Sequence, residues 1–220
     1  MIKAAPKSSQ PETPVEPIVY VIDDDAGIRA ALSRLFRSVG LRAELFASAN
    51  EFLQSKLPRV PSCLVLDVRL PGLSGFELHA ELSKANVHIP IIFITAHGDI
   101  PMSVRAMKGG AIDFLTKPFR DQDLLDAVTA AIAADRARRD AESARLDLQN
   151  LFGGLTPREQ EVMALVTKGL MNKQVAAEMG LSEITVKIHR GHMMKKMKAT
   201  SLADLVKMAE AIGINRATSP

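Results

Sequence analysis

Carboxylates, a hydroxyl and an ammonium recur in this 220-residue sequence directly at the ends of short apolar runs. Asp23-Asp24-Asp25 follow IVYVI (18–22), Asp67 closes CLVLD (63–67), Thr95 closes IIFIT (91–95), and Lys117-Pro118 follow AIDFLT (111–116). Each run is apolar, rich in β-branched residues and bounded by polar ones, the pattern of a fully buried strand. Ligands of an open parallel sheet bind beyond the carboxyl ends of its strands, so these side chains are expected along one edge. Three or more carboxylates gathered there repel one another unless a hard cation joins them. Oxygen ligands with retained water suit Mg²⁺. With that cation present, one carboxylate could attack a phosphoryl donor while cation and lysine neutralise the phosphoryl oxygens. Asp25 reads as a solvated neighbour rather than a ligand. His97 has ligand chemistry but no partner at ligand spacing, and Cys63 reads as a small buried side chain.

The segments between these runs carry helical spacing. Ile28, Leu32, Leu35, Phe36 and Val39 recur with helical period before Gly40, and LRAELF (41–46) reads as a further strand. Ser48 with Glu51, and Ser74 with Glu77, form capping boxes. A helix is expected near 100–109, and a stretch without proline or glycine runs from Asp121 to Asn150. Five strands alternating with five helices imply a doubly wound five-stranded parallel sheet covered on both faces.

Residues 153–220 contain only helical patterns, so the fold class is α/β followed by all-α. Thr156, Pro157 and Glu159 start one helix, NKQVAAEMG (172–180) is a short second, Ser182 caps a third and Ser201 a fourth. A short helix, a glycine turn and a capped second helix is helix-turn-helix grammar. On the helix after Ser182, Ile184 and Ile188 share a stripe that the later methionines continue inward. Thr185, Lys187, His189 and Arg190 fall elsewhere, a polar and basic surface suited to phosphates and base edges.

Apolar residues make up 47% of the chain, enough for a sizeable core and against disorder from end to end. Residues 1–17, with four prolines and no apolar periodicity, read as a disordered tail. The first fifteen residues lack an apolar signal segment, and no run is long enough to span a membrane, so a cytoplasmic protein with no membrane partner is expected. One cysteine excludes a disulfide framework. Net charge is +3, unevenly spread: 121–152 carries 4 basic against 7 acidic residues, and 153–220 carries 10 against 6. The basic third hints at a polyanionic partner.

DDD after a strand, LDVRLPGLSG, ITAHGD and the Lys-Pro pair resemble a response-regulator receiver domain over 18–135. The resemblance implies that Asp67 accepts phosphate from a sensor histidine kinase. It implies further that Asp23, Asp24, Asp67 and the Arg69 backbone carbonyl hold Mg²⁺, and that Thr95 and Lys117 bind phosphoryl oxygens. Phe114 would be the reorienting aromatic, Lys117-Pro118 would carry a cis bond, and Pro71, Gly72 and Gly75 would shape the acceptor loop. LTPRE, NKQVA and TVKIHR resemble the LuxR-type DNA-binding domain over about 153–215, with a helical linker over 136–152 and that domain assigned to 153–220. This second resemblance implies DNA contacts from Asn172, Lys173 and Ser182. Lys187, Ile188 and Gly191 would face bases, with Thr185, His189 and Arg190 near the backbone. Gly191 departs from relatives that carry a long side chain there.

The combined architecture resembles the NarL/FixJ class, with the FixJ-like subgroup nearest. It implies a phosphorylation-activated DNA-binding transcriptional regulator, not an enzyme. Its partners would be the kinase, double-stranded promoter DNA, a second copy of the chain on phosphorylation, and RNA polymerase. The alternative is a Mg²⁺-dependent aspartyl-phosphate phosphotransferase or phosphatase, which needs a first-strand nucleophile, a second Asp two residues on and a following Thr. Asp23 and Asp25 have that spacing, but Ala26-Gly27 follow. A DNA-binding protein controlled by a diffusible ligand would need a ligand-binding domain for which the sequence has no segment.

Overall fold

The computed structural model describes residues 16–214, so the expected tail lies outside the described residues except for its last two. The chain runs β1 (Ile18–Ile22), α1 (Ala26–Ser38), β2 (Arg42–Phe46), α2 (Ala49–Gln54), β3 (Ser62–Asp67), α3 (Gly75–Lys84) and β4 (Ile91–Thr95). It continues through α4 (Ile100–Lys108), β5 (Asp113–Thr116), α5 (Asp121–Gly153), α6 (Pro157–Val166), α7 (Asn172–Met179), α8 (Glu183–Met197) and α9 (Leu202–Ala211). It divides between Arg139 and Asp140 into two compact units.

In the first unit all strands are parallel, in the order β2-β1-β3-β4-β5. Every residue of β1, β3 and β4 is buried because helices cover both faces. Leu32 and Phe36 of α1 and Leu124 and Val128 of α5 pack on one face, against Val19, Val21 and Val65 among others. Phe52 of α2, Leu78 and Leu82 of α3 and Ala106 of α4 cover the other. Alternation along each strand sends successive side chains to opposite layers.

Local chemistry sets the helix starts, with three departures from expectation. Asp25 is more than a solvated neighbour: its carboxylate accepts the Gly27 and Ile28 N–H groups and caps α1. Ser48 caps α2, but the Glu51 carboxylate accepts the N–H of Ala47, one residue before the cap, so that box is displaced. The Ser74–Glu77 box forms in full. β5 starts at Asp113 rather than 111, because the Ala111 N–H still bonds the Ala106 carbonyl of α4 at 3.1 Å. Cys63 is buried as expected, and burial pushes its thiol up to about 12.

Helix α5 buries Leu124, Ala127, Val128, Ala131, Ile132 and Asp135, and none of its later residues. Asp135 accepts the Ser62 N–H at 2.9 Å and pairs with Arg138 (2.7 Å) and Arg139 (2.6 Å), so this buried charge is fully partnered.

The second unit is a cluster of α6 to α9 around Val162, Met163, Val175, Val186, Met193 and Leu205. Thr156 and Glu159 make a complete capping box with Pro157 in the first turn. α7 ends at Gly180 in the left-handed region (φ 65°), and Ser182 caps α8. The stripe expected from Ile184 and Ile188 does not face this core. α8 buries Val186, Met193 and Met197 instead, whereas Ile184 is 74% and Ile188 53% exposed. At about 100° per residue, positions two before and two after Val186 lie nearly opposite it. Only the methionine part of that expectation holds. Among the described residues no helix is long and apolar enough to cross a membrane.

Candidate phosphoacceptor site and nucleic-acid interface

At the carboxyl edge of the sheet, β1 delivers Asp23, β3 ends in Asp67, β4 ends in Thr95, and Lys117 follows β5. The Lys117 N–H donates to the Thr95 carbonyl at 2.7 Å, extending the β4–β5 pairing by one step. The Lys117–Pro118 peptide is cis. Asp23 is fixed on both sides: its carboxylate accepts the Asp25 N–H (2.9 Å) and its carbonyl the Arg29 guanidinium (2.6 Å). The Asp67 carboxylate accepts the Arg69 N–H at 3.0 Å.

The Lys117 ammonium bridges the pair, donating to Asp23 at 2.6 Å and to Asp67 at 2.7 Å. Burial alone would lower Lys117, but the two carboxylates outweigh it and hold the ammonium above its ordinary range. Burial raises the Asp23 carboxyl, and Lys117 offsets only part of that. Carboxylate oxygens of Asp23, Asp24 and Asp67 lie within 4.8 Å of one another, Asp24 exposed and the other two buried. With all three ionised, one ammonium leaves two negative charges uncompensated. Hard oxygen donors, surplus negative charge and an open side at Asp24 fit a hydrated divalent cation.

The sheet edge also holds the flanking residues. Thr95 is fully buried, and its hydroxyl accepts the His97 N–H at 3.3 Å. His97 itself is exposed. Phe114 is half-buried and packs against the core layer. A side chain would meet backbone at Gly75 and neighbouring side chains at Gly98. A Cβ on Gly75 would sit 2.4 Å from the Asp67 carbonyl oxygen, and one on Gly98 would sit 2.5 Å from Thr116 and 2.9 Å from Phe114. The packing role of Gly98 has no signal in the sequence, since it depends on side chains of another strand.

In the second unit, Arg190 of α8 donates to the Asn172 side chain of α7 at 2.9 Å, a tie across the turn that sequence spacing did not reveal. The Ser182 hydroxyl is occupied with the Thr185 N–H and hydroxyl. Lys173, Lys187 and Gly191 are exposed, and Asn172, Thr185, His189 and Arg190 are half-buried. A Cβ on Gly191 would meet nothing within 4 Å. Lys196 pairs with the buried Glu159 at 2.6 Å and so ties α8 to α6.

Comparison with known proteins matches both units. Residues 19–129 match the response regulator receiver domain, and residues 154–209 match the bacterial regulatory proteins of the luxR family. Nodulation protein W of Bradyrhizobium diazoefficiens is 64% identical over 204 residues, covering 93% of this chain and 90% of that protein. A solved structure of the response regulator StyR is 50% identical and covers 89% of this chain and 98% of its own, with a TM-score of 0.79. Full-length FixJ from B. japonicum is 40% identical, covering 90% and 97%, with a TM-score of 0.52. The acidic sheet edge closed by one lysine lies in the first match and the helix-turn-helix in the second, relatives are similar over nearly the whole chain, and this chain belongs to the NarL/FixJ class of two-component response regulators, a receiver followed by a LuxR-type DNA-binding domain.

Proposed function

We propose that Asp67 is the phosphoacceptor and that its phosphorylation controls binding of α8 to promoter DNA. The observation that carries this reading is the single Lys117 ammonium shared between Asp23 and Asp67 beside a third carboxylate. Asp23, Asp24, Asp67 and the Arg69 carbonyl would hold Mg²⁺, which when bound supplies the charge neutralisation that lets an anionic phosphoryl group meet an anionic carboxylate. An Asp67 oxygen attacks the phosphorus of a phosphohistidine on the sensor kinase. The P–N bond breaks, and its electron pair and a proton end on the imidazole. Lys117 moves its hydrogen bond from Asp67 to a phosphoryl oxygen, and Thr95 turns its hydroxyl from His97 to another. Phe114 then repacks beside Gly98.

The protein is a transcription regulator rather than a classical enzyme. Against the phosphatase alternative stands Asp25, whose carboxylate is committed to capping α1. The domains we assign are a receiver over 18–135, a linker over 136–152 and a DNA-binding domain over 153–220, in a cytoplasmic protein. Burial in α5 ends at Asp135, which supports the first boundary. On DNA, Lys187, Ile188 and Gly191 face bases. Thr185, His189 and Arg190 lie near the backbone, Asn172, Lys173 and Ser182 also contact DNA, and a phosphorylated homodimer engages RNA polymerase.

Acetyl phosphate with Mg²⁺ tests the acceptor. One acid-stable, hydroxylamine-labile phosphate per chain is expected in the wild type and none in Asp67→Asn. Labelling of Asp67→Asn at the wild-type rate overturns the assignment.

A further inference from the structure

From the outward face of α8 we infer that Ile184 is a base-reading residue that recognises the C5-methyl group of thymine in the major groove. The inference rests on the proposed binding of α8 to DNA and goes further by assigning what its apolar centre recognises. Three observations carry it. Ile184 is 74% exposed and belongs to no core cluster, so packing does not account for an isoleucine there. With Val186, Met193 and Met197 inward, the positions nearly opposite are 184, 188, 191 and 195. The centre of the exposed face is therefore two isoleucines, a bare glycine and Lys195.

The surroundings decide the partner. α8 carries Lys187, Arg190 and Lys195 against the single acid Glu183, with Lys196 already paired to Glu159. An apolar protein partner would have to bury these charges, whereas a polyanionic groove neutralises them. Within a major groove the apolar group on base edges is the thymine methyl. Ile184 and Ile188 lie about 6 Å apart along the helix axis, close to two base steps of about 3.4 Å. They can therefore meet methyl groups of base pairs two steps apart. Gly191 extends no side chain beyond them, so Ile184 and Ile188 meet the bases without competition from a longer neighbour.

The test uses the full-length protein, phosphorylated with acetyl phosphate and Mg²⁺, and duplexes enriched from a randomised library. Each thymine of an enriched site is replaced in turn by deoxyuridine, which removes only the methyl group and keeps every hydrogen-bonding edge. At one or more positions the wild type should lose about fourfold in affinity, the worth of one methyl-sized group returned to water. Ile184→Ala should bind the thymine site about as weakly as the wild type binds the uridine site and be indifferent to uridine at one of those positions. Ile184→Val should keep the sensitivity. Its exposure means that Ile184→Ala should melt as the wild type does. Uridine tolerance at every position by a wild type that still needs Lys187 for specific binding overturns the inference alone. So does unchanged uridine sensitivity in Ile184→Ala. If no sequence is enriched, or Lys187→Ala and Arg190→Ala change nothing, the DNA reading of α8 fails and this inference with it.

Discussion

A buried carboxylate beside a shared ammonium has opposite consequences for its two partners. Asp23 is raised by burial, so its ionised form is disfavoured in the folded chain. That penalty begins as pH rises through the ordinary value of 3.8 and is fully present above the folded value. Asp23→Asn should therefore raise the thermal midpoint at pH 7 in EDTA, and the gain should vanish below pH 3.8. The same variant should lose most of the stabilisation that Mg²⁺ gives the wild type. Lys117→Ala acts the other way, leaving Asp23 and Asp67 charged together without a cation. Breaking a buried pair from one side costs about 3 kcal/mol, and urea denaturation in EDTA should show a loss of that order, reduced when Mg²⁺ is added. A Lys117→Ala protein as stable as the wild type in EDTA would falsify the bridging role.

Single elements depend on ties that cross helices. The Glu159 carboxyl is held below its ordinary value by Lys196, with the Thr156 N–H and hydroxyl adding to this and burial opposing it. A depressed carboxyl stabilises the fold above the unfolded value of 4.5 and loses that contribution as pH falls through the folded value. Lys196 is partly exposed, so Glu159→Gln should cost only about 1 kcal/mol at pH 7. Hydrogen exchange of the α6 and α8 amides should report that loss, and wild type and variant should converge in acid. On α8, Arg190 reaches Asn172 and would sit beside the surface proposed to face the groove. Arg190→Ala should weaken binding to all sequences alike and lower the salt slope by about one. Lys187→Ala should cost about 1–3 kcal/mol more on an enriched site than on random DNA. Equal losses on both DNAs would mean that Lys187 contributes charge alone.

For the molecule as a whole, the proposed phosphorylation at Asp67 would have to act through an element with two arrangements. α4 is the candidate, because the loop leading into it packs Gly98 against Thr95, Phe114 and Thr116. Met102 anchors α4 to the core layer, while Ile100, Val104 and Met107 are exposed. That exposed apolar surface is where two phosphorylated receivers would pair. Moving such an equilibrium from about 1:99 to 99:1 takes about 5.5 kcal/mol, within reach of several charge-assisted contacts to a phosphoryl group. Val104→Arg should leave Asp67 labelling unchanged and abolish the phosphorylation-driven dimer in sedimentation. A wild type equally dimeric with and without phosphate would remove this coupling.

The sequence by itself determined the sheet, the helices and the edge on which Asp23, Asp67, Thr95 and Lys117 converge. Strand runs, caps and strand-end side chains are local signals, and parallel topology carries every strand end to the same side. Ser74, Thr156, Ser182 and Ser201 mark helix starts because a cap bonds within three residues of itself. Tertiary structure alone decided which way α8 faces. Ile184 and Ile188 have the spacing of a buried stripe, but Val186 with the two methionines makes a second stripe on the opposite side. Only the shape of the α6–α7 surface selects between them. The same holds for the Lys117 bridge, the Arg190–Asn172 tie and the fit of Gly98 against Phe114. Each joins residues remote in sequence, and distance in space is not encoded in local periodicity.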